Sequence, residues 1–488
     1  MSEPRQERQP EAGRQILTGT ARLFLAEALV MPTGLVLLAV LTRQLGATQY
    51  GIFALAVTVV GWVEWGINAL FSRATFKCIG ETTDWQPLAA KIVQLNFVIS
   101  LAAAGLLAIL AKPIATLLGE PALAMLLVLF ALDIPLFGLA QAHRHILVGL
   151  GNYRARAILS AIRWIARLGL ITAFVAGGLS VTGAILGNIA ASLVELGLAR
   201  HYVRPRWWSR PGVSARRLWE YAGTLVVSAL CLRLLDKLDL FMLKALGETA
   251  AAAGVYNAAQ SLSVVPGLFA LSFSPLLLSS LTRLLRDGDE PHAKAMARDS
   301  LRLVILLLPF GGLVAATAPE IARLIMGAPF AGAAPVMERL IFAALALVMI
   351  SVGTSILIAA GKPRWPVLVT LPMVALAAGG LWWTIPRFGA VGAATVTMTV
   401  ALLGAVAIVA LVYRCWKIAP ALASVFRSVL LAGLAYGGAS VEQLPGCWVV
   451  LKLGAGALLV AGGFVLLGEF SARERRLALS YLPWKRAE

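Results

Sequence analysis

One apolar segment of this chain carries a stripe of polar residues, Arg156, Ser160, Arg163 and Arg167. Their spacing of four, three and four residues places them on one face of an α-helix. A guanidinium group stays charged and binds oxyanions through a fork of N–H donors, so a stripe that faces a water-filled cavity suits a phosphate-bearing ligand. This stripe is the leading candidate for a substrate-binding site. The alternative is that its arginines pair with acidic residues and hold helices together.

A second group of charges falls in a later apolar segment, Arg233, Asp236, Lys237 and Asp239. Their spacings of three and four residues let them pair with one another along a single helix. Arg233 and Lys237 are therefore open to two interpretations. They are either ligands for the substrate or members of a structural ion-pair cluster.

Three acidic residues lie in apolar segments, Glu27, Glu64 and Asp133. A charge at the centre of a bilayer costs about 2.5–3.5 kcal/mol on insertion scales, so it normally faces a cavity or a partner. Because a desolvated carboxyl group titrates nearer to neutral pH, each is a candidate for coupling transport to a proton. Glu64 and Asp133 are also the expected partners of the arginine stripe if that stripe is structural. His143 and His145 are expected to be solvated loop residues.

The composition indicates which elements must carry these residues. The chain of 488 residues is 59% hydrophobic and 14% charged, with a mean hydropathy of +0.84. This leaves too little polar surface for a soluble globule and predicts an all-α polytopic membrane protein. The four cysteines are scattered singly, as expected of apolar filler rather than of metal ligands or disulfides. The sequence has no Walker loop or dinucleotide-binding glycine motif, so we expect no cofactor, no metal and no enzymatic or ATP-driven activity.

Apolar runs of the length that crosses a bilayer, roughly 20 residues, predict about 14 transmembrane helices. The predicted spans are 17–42, 50–72, 88–111, 121–147, 156–178, 181–203, 218–244, 252–281, 300–318, 335–360, 365–385, 388–413, 421–440 and 446–468. The expected organisation is a cytoplasmic tail (1–16), an N-terminal six-helix bundle (17–203), a basic linker (204–217), a C-terminal six-helix bundle (218–413), an appended hairpin (421–468) and a second cytoplasmic tail (469–488).

The two bundles are predicted to be repeats of each other. Three motifs of the first recur in the same order in the second: 45–56 as 246–259, 151–154 as 361–364, and 181–184 as 390–393. Duplicated helical blocks are how many secondary transporters are built, with the substrate site between the halves. An even number of helices in each repeat makes the two halves parallel.

Basic residues alternate between the predicted loops. One side holds most of them, including Arg144, Arg154 and Arg156 in one loop and the five arginines of the linker. The other side holds little besides Arg43, Lys112, Lys244, Arg323 and Arg387. Because basic loops remain in the cytoplasm, both termini are predicted to be cytoplasmic. The net charge of +18 is then a topology signal, and no nucleic-acid partner is expected.

The repeated motifs also carry a family resemblance. Segments 41–46 and 50–56, with their second copy at 244–247 and 254–259, join the first apolar runs of each repeat. Together with the Gly-Asn-Tyr-Arg motif at 151–154, they resemble the pattern of Wzx-type polysaccharide-unit flippases. These flippases belong to the multidrug/oligosaccharidyl-lipid/polysaccharide exporter superfamily. The resemblance extends over the whole chain in length, helix number and order of motifs.

The resemblance implies two bundles that face each other across a central, cation-lined cavity and work by alternating access. It implies a substrate, an undecaprenyl-diphosphate-linked oligosaccharide, that moves from the cytoplasmic to the periplasmic leaflet of the bacterial inner membrane. It also implies membrane lipids and a polysaccharide polymerase or export complex as partners. O-antigen lipopolysaccharide, capsule and secreted exopolysaccharide all remain open as the product. The candidate arginines rest on spacing alone, because no family motif marks individual cavity residues.

Three other functions are compatible with parts of this pattern. A lipid II flippase of peptidoglycan synthesis shares fourteen helices and a basic cavity. A multidrug or cation antiporter of the same superfamily typically has twelve helices and an acidic site. A membrane glycosyltransferase or polymerase usually has a long extracytoplasmic loop with acidic catalytic residues, whereas the loops at 112–120 and 386–387 are short.

Overall fold

The computed structural model describes residues 29–81, 84–205, 237–442, 446 and 448–470. All regular secondary structure of these residues is helical. The chain divides into two units, Met1–Gly254 and Val255–Glu488. Several predicted features lie outside the described residues: Glu27, Arg233, Asp236, the N-terminal tail (1–16), the start of the first predicted span (17–28), all but the first two residues of the basic linker, most of the seventh predicted span (218–236) and the C-terminal tail beyond residue 470.

The first unit consists of long apolar helices. They are α1 (Val30–Glu81), α2 (Trp85–Leu117), α3 (Pro121–Ala131), α4 (Asp133–Gly149), α5 (Tyr153–Phe174), a π-helical turn (Val175–Leu179), α6 (Ser180–Tyr202) and α7 (Leu238–Ala245), and α8 (Ala250–Ser263) begins in this unit. Helix α4 packs against α1, α2 and α6. The core includes Leu88, Ile92, Ile146, Leu159 and Ala199. Helices α4, α5 and α6 therefore lie close enough to bring their polar residues together.

The described residues of the second unit also form helices joined by short turns. Its helices are α9 (Val265–Arg286), α10 (Glu290–Ile305), α11 (Leu308–Ala316), α12 (Ala318–Met326), a 3₁₀ turn (Ala328–Ala333), α13 (Ala334–Ala359), α14 (Trp365–Trp416), α15 (Leu422–Ser440) and α16 (Trp448–Leu466). Helix α13 packs against α9 and α14, and α15 packs against α11. The hairpin of α15 and α16 thus belongs to this unit.

Nine helical stretches in the part of the chain that the structure describes are long and apolar enough to cross a membrane. Three of them cover two predicted spans each, because the helices on either side of a turn run together in one stretch. These turns lie at Gly46, at Gly178 and Ser180, and at Gly389, where φ is positive. The all-α polytopic class is confirmed, and the count of 14 helices stays a prediction.

The backbone reproduces two of the sequence repeats. Gly151 and Gly361, which begin the second pair of motifs, both have φ of 74°. In each turn the next residue donates its N–H to a helix carbonyl at 2.9 Å, from Asn152 to Leu147 and from Lys362 to Leu357. Glycine is the residue that tolerates this left-handed helix end.

The third pair of motifs follows a second shared turn. Ser180 (φ 53°, ψ −139°) and Gly389 (φ 54°, ψ −138°) have nearly the same backbone conformation. Gly183 and Gly392 lie three residues later, and a Cβ atom on either would clash with the preceding helix end. The repeated glycine is therefore explained by close helix packing, and the duplication is visible in local geometry as well as in sequence.

Candidate functional site

Helix α5 presents the predicted arginine stripe. The helix begins after the left-handed turn at Gly151, and Asn152 caps it by accepting a hydrogen bond from the Ala155 N–H at 3.1 Å. Ser160 is completely buried and Arg163 is 8% exposed, whereas Arg156 and Arg167 are half-buried. The stripe thus faces the interior of the first unit, as its spacing predicts.

Arg163 is committed to an ion pair with Glu195 of α6. Its Nη1 lies 2.5 Å from Glu195 Oε2, and Arg144 Nη1 of α4 lies 2.6 Å from Glu195 Oε1. The Glu195 side chain has no solvent exposure. Each oxygen of the carboxylate accepts a hydrogen bond from a guanidinium group. These charge-assisted contacts offset the large free-energy cost of burying three charges. This triad joins three helices, so the structural interpretation applies to Arg163, with Glu195 rather than Asp133 or Glu64 as the carboxylate that it bonds.

Three residues near the end of α4 correct expectations from the sequence. The sequence predicts that Arg144 lies in a basic cytoplasmic loop and that His143 and His145 are solvated loop residues. The structure buries all three, with exposures of 7%, 0% and 6%. The predicted span 121–147 already contains these residues, and they are buried because the last turns of α4 pack into the core beside Ala142, Ile146 and Leu147 rather than ending in solvent.

Ser160 connects the triad to the start of the stripe. Its hydroxyl accepts a hydrogen bond from Arg156 Nη1 and lies 3.5 Å from Arg144 Nη2. Ser160 and Arg156 therefore form the edge of the buried ion-pair network. They are placed to hold Arg144 in position rather than to act independently of it.

Arg167 differs from the other stripe arginines. It makes no hydrogen bond or ion pair with any described residue, and its Nε atom is buried without a partner among them. Its guanidinium carbon lies 5.7 Å from the centre of the Trp164 ring. The charges that act on it are those of Arg163, Glu64 and Asp133. Arg167 is thus a partly buried cation whose donors remain available to a ligand.

The two described carboxylates lie beside these arginines. Asp133 begins α4, is completely buried, and accepts a hydrogen bond from Asn188 Nδ2 of α6 at 2.6 Å on its Oδ2. Its Oδ1 and Glu64 Oε1 are buried and lack a hydrogen-bond partner among the described residues. The Glu64 and Asp133 carboxyl groups neighbour each other as well as Arg163 and Arg167. The structure therefore brings together two of the three predicted coupling acids and two of the predicted ligands.

A narrow crevice, too tight to hold a water molecule, lies beside Glu64. It is lined by Glu64, Ile67, Asn68, Asn96, Ile134, Phe137, Gly138 and Gln141. Asn96 and Asn188 are not among the residues that the sequence identifies, and Glu195 is identified there only as a charge within a predicted span, with no role assigned. The signal that could have found them is the one that found Asp133, a polar residue within an apolar span.

The second group of predicted charges is only partly described. Lys237 immediately precedes α7, and Asp239 in its first turn is buried and accepts the Leu240 N–H on Oδ1 at 2.8 Å. Arg233 and Asp236 lie outside the described residues. The assignment of Arg233 and Lys237 as substrate ligands or as members of an ion-pair cluster stays a prediction from the sequence.

The chain matches a family model described as polysaccharide biosynthesis protein over residues 16–276, which is more than half of its length. No curated protein sequence matches it. A structure of the lipid II flippase MurJ in an inward closed conformation is similar, with a TM-score of 0.74 and 14% identity. That match covers 93% of this chain and 99% of MurJ.

Two further structures share the fold at a lower level. A variant of the Vibrio cholerae MATE transporter VcmN has a TM-score of 0.57 and 17% identity, covering 82% of this chain and 96% of that one. A transporter of the MOP superfamily from Pyrococcus furiosus has a TM-score of 0.57 and 13% identity, covering 83% and 96%. At these identities, the likenesses show a shared fold alone, and the function is argued from the family and the site.

Proposed function

Since this chain belongs to the polysaccharide biosynthesis protein family, we propose that it flips undecaprenyl-diphosphate-linked oligosaccharides across the bacterial inner membrane. The units move from the cytoplasmic to the periplasmic leaflet by alternating access, and both termini are cytoplasmic. A polysaccharide polymerase or export complex then receives the product. The MurJ-like fold supports a carrier for lipid-linked substrates.

The observation that carries this proposal is that Arg167 has no hydrogen-bond or ion-pair partner in the part of the chain that the structure describes. Burying an arginine donor without a partner is unfavourable, so such a residue persists where a ligand or another state of the protein supplies the acceptor. A diphosphate has several charged oxygens and fits the planar fork of a guanidinium. Because Glu195 already occupies Arg163, we assign direct phosphate contact to Arg167. Arg163 lies beside Arg167, Arg156 and Ser160 support the adjoining ion-pair network through Arg144, and Arg233 and Lys237 are further candidates.

The site argues against an organic cation as the substrate. Arg144, Arg163 and Arg167 lie in one region with three described carboxylates, Glu64, Asp133 and Glu195, so one proton shared between Glu64 and Asp133 leaves one positive charge in excess. That excess lies at Arg167, which has no ion-pair partner among the described residues, and it repels a cation and attracts an anion. A polar head of this kind cannot cross hydrocarbon alone, whereas its lipid tail need not leave the bilayer.

We assign ion coupling to Glu64 and Asp133. Two adjacent carboxyl groups in a buried site do not ionise independently, and one proton shared between them relieves their repulsion. Each has a buried oxygen with no hydrogen-bond partner in the described chain, which is where a proton or another small cation can bind. Glu27 remains a third candidate on the evidence of the sequence.

Lipid II is the second candidate substrate, favoured by the similarity to MurJ over 93% of this chain. Both substrates carry a diphosphate, so Arg167 serves either. The deciding experiment is deletion of the gene followed by identification of the lipid-linked sugar that accumulates in the cytoplasmic leaflet. Accumulation of an oligosaccharide unit with cell viability retained supports our proposal. Loss of viability with accumulation of lipid II overturns it in favour of the second candidate.

A further inference from the structure

A large cavity lies between the C-terminal hairpin and helix α11. It has a volume of about 650 Å³ and is bounded by α11, α15 and α16, all within the second unit. Its walls are largely apolar and include Leu313, Leu431 and Val460. The volume falls within the range of small-molecule sites, about 300–1,000 Å³. An empty cavity of this size would deprive its walls of packing contacts, so we expect an occupant.

The depth of the cavity matches one leaflet of a bilayer. Its lining on α16 runs from Trp448 to Val460, a rise of about 18 Å at 1.5 Å per residue. The hydrocarbon of one leaflet is about 15 Å thick, half of the bilayer core. Leu434 and Leu451, which border the cavity, are each 63% exposed, so it opens sideways towards the hydrocarbon. An acyl chain of one leaflet fits this depth, whereas an extended undecaprenyl chain is much longer.

The polar end of the cavity carries charges of both signs. Lys452 Nζ lies 2.6 Å from Glu320 Oε1 and also donates to the Glu442 carbonyl oxygen. An ammonium group has three donors, so one is left without an acceptor in the described chain. The exposed Glu442 side chain lines the same end and makes no ion pair with a described residue. Trp448 lies at this end too, as is typical of tryptophan at a membrane–water interface.

The sequence assigns this polar end to the periplasmic side. Glu320 and Glu442 follow the ninth and thirteenth predicted spans, and the alternation of basic loops places both positions on that side. The contacts of Lys452 with both residues hold them at one end of the second unit, as this assignment requires. The cavity is therefore open to the periplasmic leaflet if the proposed orientation is correct.

We propose that this cavity binds one acyl chain of a phospholipid whose head carries both a phosphate and an ammonium group, as in phosphatidylethanolamine. The phosphate accepts the third donor of Lys452, and the head ammonium pairs with the Glu442 carboxylate. A purely anionic head is disfavoured, because Glu320 already neutralises Lys452 and Glu442 adds a negative charge. The same charges disfavour a diphosphate-linked glycan here. The lipid joins the hairpin to α11, a role that goes beyond the proposed function.

The first test fills the cavity. Gly438 lines it, and a Cβ atom there would meet nothing within 4 Å, so Gly438→Trp can place its side chain in the open space. The matched control is Gly437→Trp, because a Cβ atom on Gly437 also meets nothing within 4 Å and that residue does not line the cavity. Detergent-solubilised protein is mixed with equal amounts of phosphatidylethanolamine and phosphatidylglycerol that have the same acyl chains. Native mass spectrometry then counts the lipids retained per chain.

The parent protein and Gly437→Trp should each retain one phosphatidylethanolamine, with a preference of about tenfold over phosphatidylglycerol, because two charge-assisted contacts select the head. Gly438→Trp should lose this lipid and the preference. Equal retention of the two lipids by the parent protein overturns the proposal. An unchanged preference in folded Gly438→Trp does the same.

The second test changes the head-binding end and leaves the walls intact. Glu442→Lys keeps the backbone carbonyl that Lys452 contacts and reverses the charge of the side chain, so the preference should switch to phosphatidylglycerol. Asp299→Lys, an equal change of charge at an exposed residue of α10, should leave the preference for phosphatidylethanolamine unaltered. A preference that stays the same in Glu442→Lys rules out the proposed recognition of the head.

A third lipid separates a resident phospholipid from the tail of a transported substrate. Undecaprenyl phosphate is added to the same mixture at an equal amount. Continued retention of phosphatidylethanolamine by the parent protein supports the proposal. Its replacement by undecaprenyl phosphate in the parent protein, but not in Gly438→Trp, shows that the cavity takes a prenyl tail and overturns it. None of these measurements requires flipping, so failure of the proposed function leaves their outcome unchanged.

Discussion

Arg163 donates a hydrogen bond to Glu195 at 2.5 Å, and this one contact separates the roles of two arginines that the sequence presents as equivalent. Arg163 and Arg167 lie one turn apart on the same face of α5. The first is neutralised by a carboxylate that also holds Arg144. The second has no ion pair with any described residue. Within the stripe, Arg163 is held by an ion pair, whereas the donors of Arg167 have no acceptor among the described residues.

Arg167 is expected to bind the diphosphate. Arg167→Ala should reduce export about 10- to 100-fold, because a hydrogen bond to a charged group contributes about 1.5–3 kcal/mol. Arg167→Lys should recover part of the loss, since it keeps the charge and loses the fork. Export is measured beside the amount of protein in the membrane. Arg339→Ala, a part-buried arginine in the second unit that donates to Thr395, is the matched control. Normal export by Arg167→Ala would move the search to Arg233 and Lys237.

Glu195 is expected to determine folding rather than transport. Glu195→Ala leaves Arg144 and Arg163 buried without their carboxylate and should cost about 3–5 kcal/mol of stability. Thermal unfolding of the detergent-solubilised protein measures this. Adding Arg163→Met should restore part of the loss, because it removes one unpaired charge. Asp133→Asn in the same background should restore nothing. A further large loss of stability on adding Asp133→Asn, with no rescue by Arg163→Met, would show instead that Arg163 pairs with Asp133 in the membrane.

The carboxylates are expected to couple an ion to transport. Glu64→Gln and Asp133→Asn should each reduce flipping at normal protein levels and alter its dependence on pH, because either change removes one member of the pair. Asn188→Ala should have a weaker effect in the same direction, since it removes the donor to Asp133 Oδ2. Glu27→Gln tests the third candidate. Full transport with an unaltered pH profile in the three acid variants contradicts the assignment.

Glu469 is expected to make the stability of the second unit depend on pH. Its oxygens accept from Ser424 Oγ at 2.5 Å, Arg302 Nε at 2.8 Å and Arg427 Nη1 at 3.0 Å. Burial raises the pKa of this carboxyl, but the three donors outweigh it, so the pKa lies below its ordinary value. A lowered pKa in the folded state stabilises the protein above the unfolded-state pKa of about 4.3, and this contribution is lost as pH falls through the folded-state pKa.

Glu469→Gln should therefore lower the melting temperature at pH 7 and flatten its decline between neutral and acidic pH. The exposed Asp299→Asn is the control that should leave the curve unchanged. Parallel melting curves for Glu469→Gln and the parent protein would mean that the cluster contributes no pH-dependent stability. The cluster joins α10 to the hairpin of α15 and α16, so detachment of that hairpin is the expected first event.

The orientation is tested by reporter fusions. Fusions after Arg217 and at the C-terminus should report cytoplasm, and a fusion at Glu248 should report periplasm. A cytoplasmic result at Glu248 would show that the helix count in the first half is wrong.

The sequence by itself determined the class, the duplication and the face of the stripe. Each of these depends on local information: apolar runs of membrane length, motifs that recur in order, and a spacing that one helix converts directly into a shared face. The shared turns at Gly151 and Gly361 follow for the same reason, since a left-handed helix end selects glycine within a few residues. The family resemblance is likewise supported by the family match.

Only the tertiary structure decided which partners meet. Arg163 and Glu195 are 32 residues apart and Arg144 and Glu195 are 51 apart, so no local rule favours them over Asp133 or Glu64. Gly51 and Gly254 are a second example. A Cβ atom on Gly51 would lie 1.8 Å from the Ala250 carbonyl oxygen, but the repeated motif does not predict that its two copies touch. Helical periodicity fixes the direction of a side chain relative to its own axis. The charge or backbone that it meets depends on how separate helices pack, and that is a property of the folded chain.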